Sequence, residues 1–168
     1  MANEFERNQS GSTLTAGAVG GGTLGTGAAG RARGARIIGI DAEDRTDAGP
    51  GPKVMAAATL EGNDVKNPVG EQLGTIDQIM LDVSSGRVAY AVLSTGGFLG
   101  IGDKLFAIPW NALTLDTDSE CFILDISKER LESAPGFDKD SWPSMADQSW
   151  ATETHSYYGT QPYWEDML

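Results

Sequence analysis

The chain has 168 residues, with 12 lysines and arginines against 24 aspartates and glutamates, for a net charge of −12. That length holds one ordinary domain with extensions, and so acidic a body repels phosphate backbones and anionic lipid headgroups, which argues against nucleic acid as a partner. The single cysteine, Cys121, excludes an internal disulfide and suits a reducing compartment.

Residues 1–52 read as a disordered, flexible arm. Gly11 to Gly30 is almost entirely Gly, Ala, Ser and Thr, and half of the chain's 22 glycines fall at or before Gly49. Such a stretch buries too little apolar surface to offset the entropy of ordering its backbone. Arg36-Ile37-Ile38-Gly39-Ile40 has strand character without a visible partner, and Gly49-Pro50-Gly51-Pro52 closes the zone as a linker. The opening residues lack the basic-then-apolar order of a secretory signal. No stretch approaches the roughly 20 apolar residues that span a bilayer. The expectation is a cytoplasmic protein, with peripheral contact at the inner membrane left open.

From residue 53 the texture changes. Short apolar runs separated by turn signals predict six strands: Val54–Leu60, Leu73–Val83, Arg87–Ser94, Lys104–Trp110, Leu113–Asp116 and Cys121–Ile126. Ser84-Ser85-Gly86 joins the second to the third as a tight hairpin, and Asp116 to Glu120 turns the last one. The spacing predicts a mainly β barrel or sandwich over residues 53–126. Val88, Tyr90 and Val92 alternate with Ala89, Ala91 and Leu93, so the third strand is apolar on both faces, as is the fourth. A freely solvated barrel shows polar residues outside. Something must cover this one, either flanking segments or a partner.

Residues 127–168 form the third zone. Ser127-Lys128-Glu129-Arg130 is a capped start to a short helix, Ser127–Ser133, stopped before Pro135-Gly136. Beyond it runs an extended, acidic tail holding seven of the 13 aromatic residues. Two readings stand: the rings pack on the barrel's apolar exterior, or they dock onto another chain, where Trp and Tyr are typical anchors.

The motifs of the middle and last zones resemble a known family. Asn67-Pro-Val-Gly-Glu-Gln-Leu-Gly-Thr-Ile-Asp77, Gly86-Arg-Val-Ala-Tyr-Ala-Val-Leu-Ser94, Gly96-Gly-Phe-Leu-Gly-Ile-Gly102 and Ile108-Pro-Trp110 resemble the PRC-barrel family, named for the cytoplasmic domain of the photosynthetic reaction centre H subunit. Asp140-Ser-Trp-Pro143, Tyr157-Tyr-Gly159 and Pro162-Tyr-Trp-Glu165 resemble the extension of a stand-alone bacterial branch. The resemblance implies a small six-stranded PRC-type β-barrel. Gly70 and Gly74 would serve a tight turn and a bent strand. Pro109 would stand at a strand end, with Trp110 placed to plug the barrel mouth.

Relatives act on a membrane surface beside a quinone, bind a ribosomal protein, or are linked to cell division, so the resemblance implies protein binding without catalysis. The expected partner is another protein or a second copy of the chain. The alternative is an accessory subunit in electron or proton transfer, although the reaction centre subunit's transmembrane helix has no counterpart here. The candidate partner-binding residues are Phe98, Leu99, Trp110, Trp142, Trp150, Tyr157, Tyr158, Tyr163 and Trp164.

Other candidate chemistry is weaker, and no catalytic, cofactor or metal residue is assigned. Gly25-Thr-Gly-Ala-Ala-Gly30 spells a dinucleotide fingerprint but lacks the preceding strand that the mechanism needs. Asp116, Asp118 and Glu120 alternate as in a calcium loop yet lack the central glycine and distal glutamate, which favours a solvated hairpin tip. His155, the only histidine, reads as a surface or packing residue, and Cys121 as a buried thiol. Arg31, Arg33 and Arg36 read as part of a solvating linker.

Overall fold

The computed structural model describes residues 34–39, 53–97 and 102–165. Among them the strands are β1 (Arg36–Ile38), β2 (Asp64–Lys66), β3 (Gln72–Asp82), β4 (Arg87–Ser94), β5 (Leu105–Pro109), β6 (Leu113–Asp116) and β7 (Cys121–Leu124). The helices are α1 (Ala57–Leu60), α2 (Lys128–Glu132) and α3 (Gln148–Tyr157). The strands form one sheet in the order β1-β6-β7-β2-β3-β4-β5.

Several expectations are corrected. The sheet has seven strands rather than six, and it is open, with β1 and β5 at its ends. The segment Val54–Leu60 is not a strand: its alanine run Ala56-Ala57-Ala58 gives the short helix α1, in keeping with alanine's helix propensity. Arg36–Ile38 is a paired strand despite its glycine-rich context. It lies parallel to β6, in register Arg36↔Thr114 to Ile38↔Asp116, and Thr117 N and Oγ1 both donate to the Ile38 carbonyl. Its partner stands some eighty positions later, which no local reading can supply. Asp64–Lys66 was also missed, because three residues with two charges carry no strand signal. The tail is not extended throughout; α3 is the longest helix described.

Local chemistry explains the shape. Gly70 turns the chain at a φ of 86°, and Asn67 holds the turn by accepting at Oδ1 from Glu71 N. Gly74 lets β3 pass β4 closely: a Cβ there would stand 2.3 Å from the Ser94 carbonyl oxygen. Register shifts after Ile76 and after Met80 bend β3 further, so that one strand turns around the core. Val65, Leu73, Ile76, Leu93, Phe106 and Phe122, all no more than 2 % exposed, meet in that core with strands β2 to β7 around it. Edge strand β5 is closed off at one end by reciprocal hydrogen bonds between Leu105 and Phe137, and at the other by Pro109, which has no N–H to offer.

Candidate binding surface

The outer face of β4 and β5 is covered by the chain itself. Tyr90 and Ala107, buried on that face, pack against Met80, Phe137, Met145, Trp150 and Tyr163. Two helices bring this about. Ser127 Oγ accepts from Arg130 N to start α2, and Asp147 Oδ1 accepts from Trp150 N to start α3. Helix α3 stops where Gly159 takes a φ of 69° and Thr160 N returns to the His155 carbonyl.

Arg130 ties α2 to the end of α3. Its Nη2 donates to the Tyr157 carbonyl at 2.6 Å, Tyr157 Oη donates to the Arg130 carbonyl at 2.5 Å, and the guanidinium lies 5.4 Å from the ring centre. Two more bonds fix the last residues: Arg87 Nη1 to the Tyr163 carbonyl at 2.7 Å, and Asn111 Nδ2 to the Gln161 carbonyl at 2.9 Å.

His155 sits at the centre of this layer, and the sequence reading gave it no particular weight. It is 1 % exposed, with ring centres of Tyr90 at 5.6 Å, Tyr163 at 6.0 Å and Trp164 at 5.6 Å. Its Nδ1 lies 2.9 Å from Thr160 Oγ1. Loss of water around the ring pushes its pKa down to about 4, so it is neutral at pH 7. The same desolvation pushes the Tyr90 and Tyr158 phenols far above their ordinary value. Neither phenol oxygen has a hydrogen-bond partner among the described residues.

The nine candidate residues thus fall into separate places. Trp150, Tyr163 and Trp164 are half-buried in the Tyr90–His155 layer, and Tyr157 and Tyr158 pack where α3 meets the core. Trp142 remains 37 % exposed, leaning on Phe137 and donating from Nε1 to the Lys139 carbonyl. Trp110 begins the 3₁₀ turn Trp110–Ala112 after β5 and meets Phe122 edge to face at 5.8 Å. Phe98 and Leu99 lie outside the described residues, as do Arg31, Arg33 and the glycine fingerprint at residues 25–30.

The sequence reading missed the open end of the sheet. A cavity of about 420 Å³ lies there, lined by Ile37 of β1, Met55, Leu60, Ile79 of β3, Val88 of β4 and Trp110, among others. At its rim Val54 and Leu81 are 68 % and 57 % exposed, and Val83, beyond the end of β3, is 90 % exposed. Exposed apolar residues gathered at one concavity mark an interaction site better than scattered ones do. Their sequence signal was ambiguous, since Val54 and Leu81 stood in runs read as strands.

Other candidate chemistry is accounted for locally. Asp116 Oδ1 accepts from Asp118 N and Ser119 N within the hairpin turn, and those bonds hold its carboxyl below the ordinary value. Cys121 is 4 % exposed, and burial raises its thiol pKa, which lowers its reactivity. Among the described residues no group of three or more His, Cys, Asp or Glu is placed to hold a metal, and no helix is long and apolar enough to cross a membrane.

No curated protein matches the chain. Among solved structures it is similar to a protein described as a 16S ribosomal RNA processing protein, RimM, of Pseudomonas aeruginosa, with 19 % identity and a TM-score of 0.33. That match covers 45 % of each chain, under half the length of either. The family model of the PRC-barrel domain matches residues 52–131, the span that runs from α1 through all of β2 to β7 into α2. Residues 52–131 of this chain thus form a PRC-barrel domain.

Proposed function

We propose that the protein is a non-catalytic binding module that associates with another protein, or with a second copy of itself, through the open end of its sheet. The observation that carries this reading is the pair of exposed apolar residues, Val54 and Leu81, on the lining of a largely apolar cavity. The outer face of β4 and β5 is already covered by the chain's own α3 and the residues after it, which supports taking this end as the working surface. In this reading residues 127–165 are part of the folded unit, and of the nine candidates Trp110 is the one that contributes to the docking region.

The test is affinity capture from the native host with the wild-type chain and with the double variant Val54→Asp/Leu81→Asp. Both positions are exposed, so the fold should survive, as circular dichroism can verify. A specific partner, or self-association by sedimentation, should be present with the wild type and lost with the variant. Identical capture and identical sedimentation by both proteins would refute the reading.

A further inference from the structure

The docking reading above leaves two kinds of partner open. Resting on it, we infer that the surface around Val54 and Leu81 takes a cationic protein segment with apolar anchors, and not a second copy of the chain. The need for anchors follows from the lining, where Ile37, Ile79, Val88 and Trp110 accompany the exposed Val54 and Leu81. The sign of the partner's charge follows from the acids around them. Charged residues on or next to the lining balance, with Lys53, Arg36 and Arg87 against Glu61, Asp82 and Asp116. Arg87 is engaged with the C-terminal segment, its Nη1 donating to the Tyr163 carbonyl at 2.7 Å.

The excess of acid comes from the sequence joining β1 to Lys53. Ile37 and Lys53 both line the cavity, so residues 40–52 leave from its edge and return to it. They carry Asp41, Glu43, Asp44 and Asp47 against Arg45 alone. Each of those acids is at most seven residues from Ile37 or Lys53, which holds it within about 25 Å of the lining whatever course the chain takes. The chain as a whole adds its net charge of −12. A two-fold dimer through this surface would bring the acids of one copy against the same acids of the other, and a charge so far from zero keeps proteins monomeric. A cationic partner is drawn in and oriented by the same field, while its apolar side chains supply the contact.

Two short amphipathic peptides with the same leucine pattern provide the test, one with lysine and one with glutamate at its polar positions. Each is titrated into the full chain by fluorescence anisotropy and by methyl-resolved NMR. The lysine peptide should bind with a Kd on the order of 10 μM and shift the methyls of Ile79, Leu81 and Val88. Its affinity should fall about tenfold between roughly 0.05 and 0.5 M salt, and the glutamate peptide should not bind. Val54→Asp/Leu81→Asp separates docking from diffuse attraction. The double variant is more acidic, so diffuse attraction would tighten binding, whereas loss of two contact side chains should weaken it about tenfold. Both positions are exposed, so folding is expected to persist. The full chain alone should sediment as a monomer at both salt concentrations. Equal binding of the two peptides, shifts on another face, or tighter binding by the double variant would overturn the inference. A wild-type dimer that the double variant loses would also overturn it, and would leave the docking surface standing. Failure of the lysine peptide to bind overturns it as well, and capture from the host then decides the docking reading separately.

Discussion

Tyr90 of β4 and Trp150 of α3 meet edge to face, with ring centres 5.4 Å apart and planes inclined at 64°. This contact joins the sheet to the C-terminal segment across sixty residues of sequence, and it makes that segment a structural layer. Trp150→Ala should therefore destabilise the whole fold, by about 2–4 kcal/mol given that the ring is half-buried. Urea unfolding monitored by circular dichroism measures it. A variant that lost only the signal of α3, with the sheet unfolding at the same midpoint, would show that the layer is dispensable.

Tyr90→Phe should behave oppositely. The phenol oxygen is buried without a partner among the described residues, so removing it relieves a desolvation cost and forfeits no bond. Stability should be unchanged or rise by up to about 1 kcal/mol. A loss of more than that would reveal a hydrogen bond to the phenol in solution.

His155 should make stability depend on pH. Its pKa falls from 6.5 to about 4 on folding, so the unfolded chain binds the proton more tightly. The resulting stability is fully present above pH 6.5 and declines as pH drops towards 4, by about 3 kcal/mol in total. His155→Phe should flatten that part of the profile. Parallel profiles for variant and wild type between pH 4 and 6.5 would contradict the assignment.

At Gly74 the constraint is the approach of two backbones. Gly74→Ala places a methyl 2.3 Å from the Ser94 carbonyl, which must move and disturb the β3–β4 pairing. We expect a loss of about 1–3 kcal/mol, as for overpacking elsewhere. Gly62→Ala serves as the comparison, because a Cβ there meets nothing within 4 Å and only its φ of 81° opposes the change. Equal losses at both sites would mean that backbone conformation, and not the close approach, decides.

The parts of the fold legible in the sequence were those with local signals. Alternating apolar residues bounded by Ser84-Ser85-Gly86 placed β3 and β4, and Ser127 announced α2. Strand β1 was illegible because its support comes from Thr114 to Asp116, far along the chain. Helix α3 had readable signals in Asp147 at its start and Gly159 past its end, but two of its inward positions are Thr154 and His155. Polar residues at buried positions hid the amphipathic period. The aromatic candidates pointed to the C-terminal segment, whereas the exposed Val54 and Leu81 line the cavity beside β1, β3 and β4. Aromatic content locates large contact area without saying whether the chain or a partner occupies it.

The most direct test of the binding reading is site-specific photocrosslinking in the native host, with the reactive side chain placed at Leu81 and, for comparison, at Glu153 on the exposed side of α3. The account predicts adducts of defined mass from position 81, to a partner or a second copy, and none from position 153. Adducts from position 153 alone would place the working surface on the C-terminal layer and contradict it.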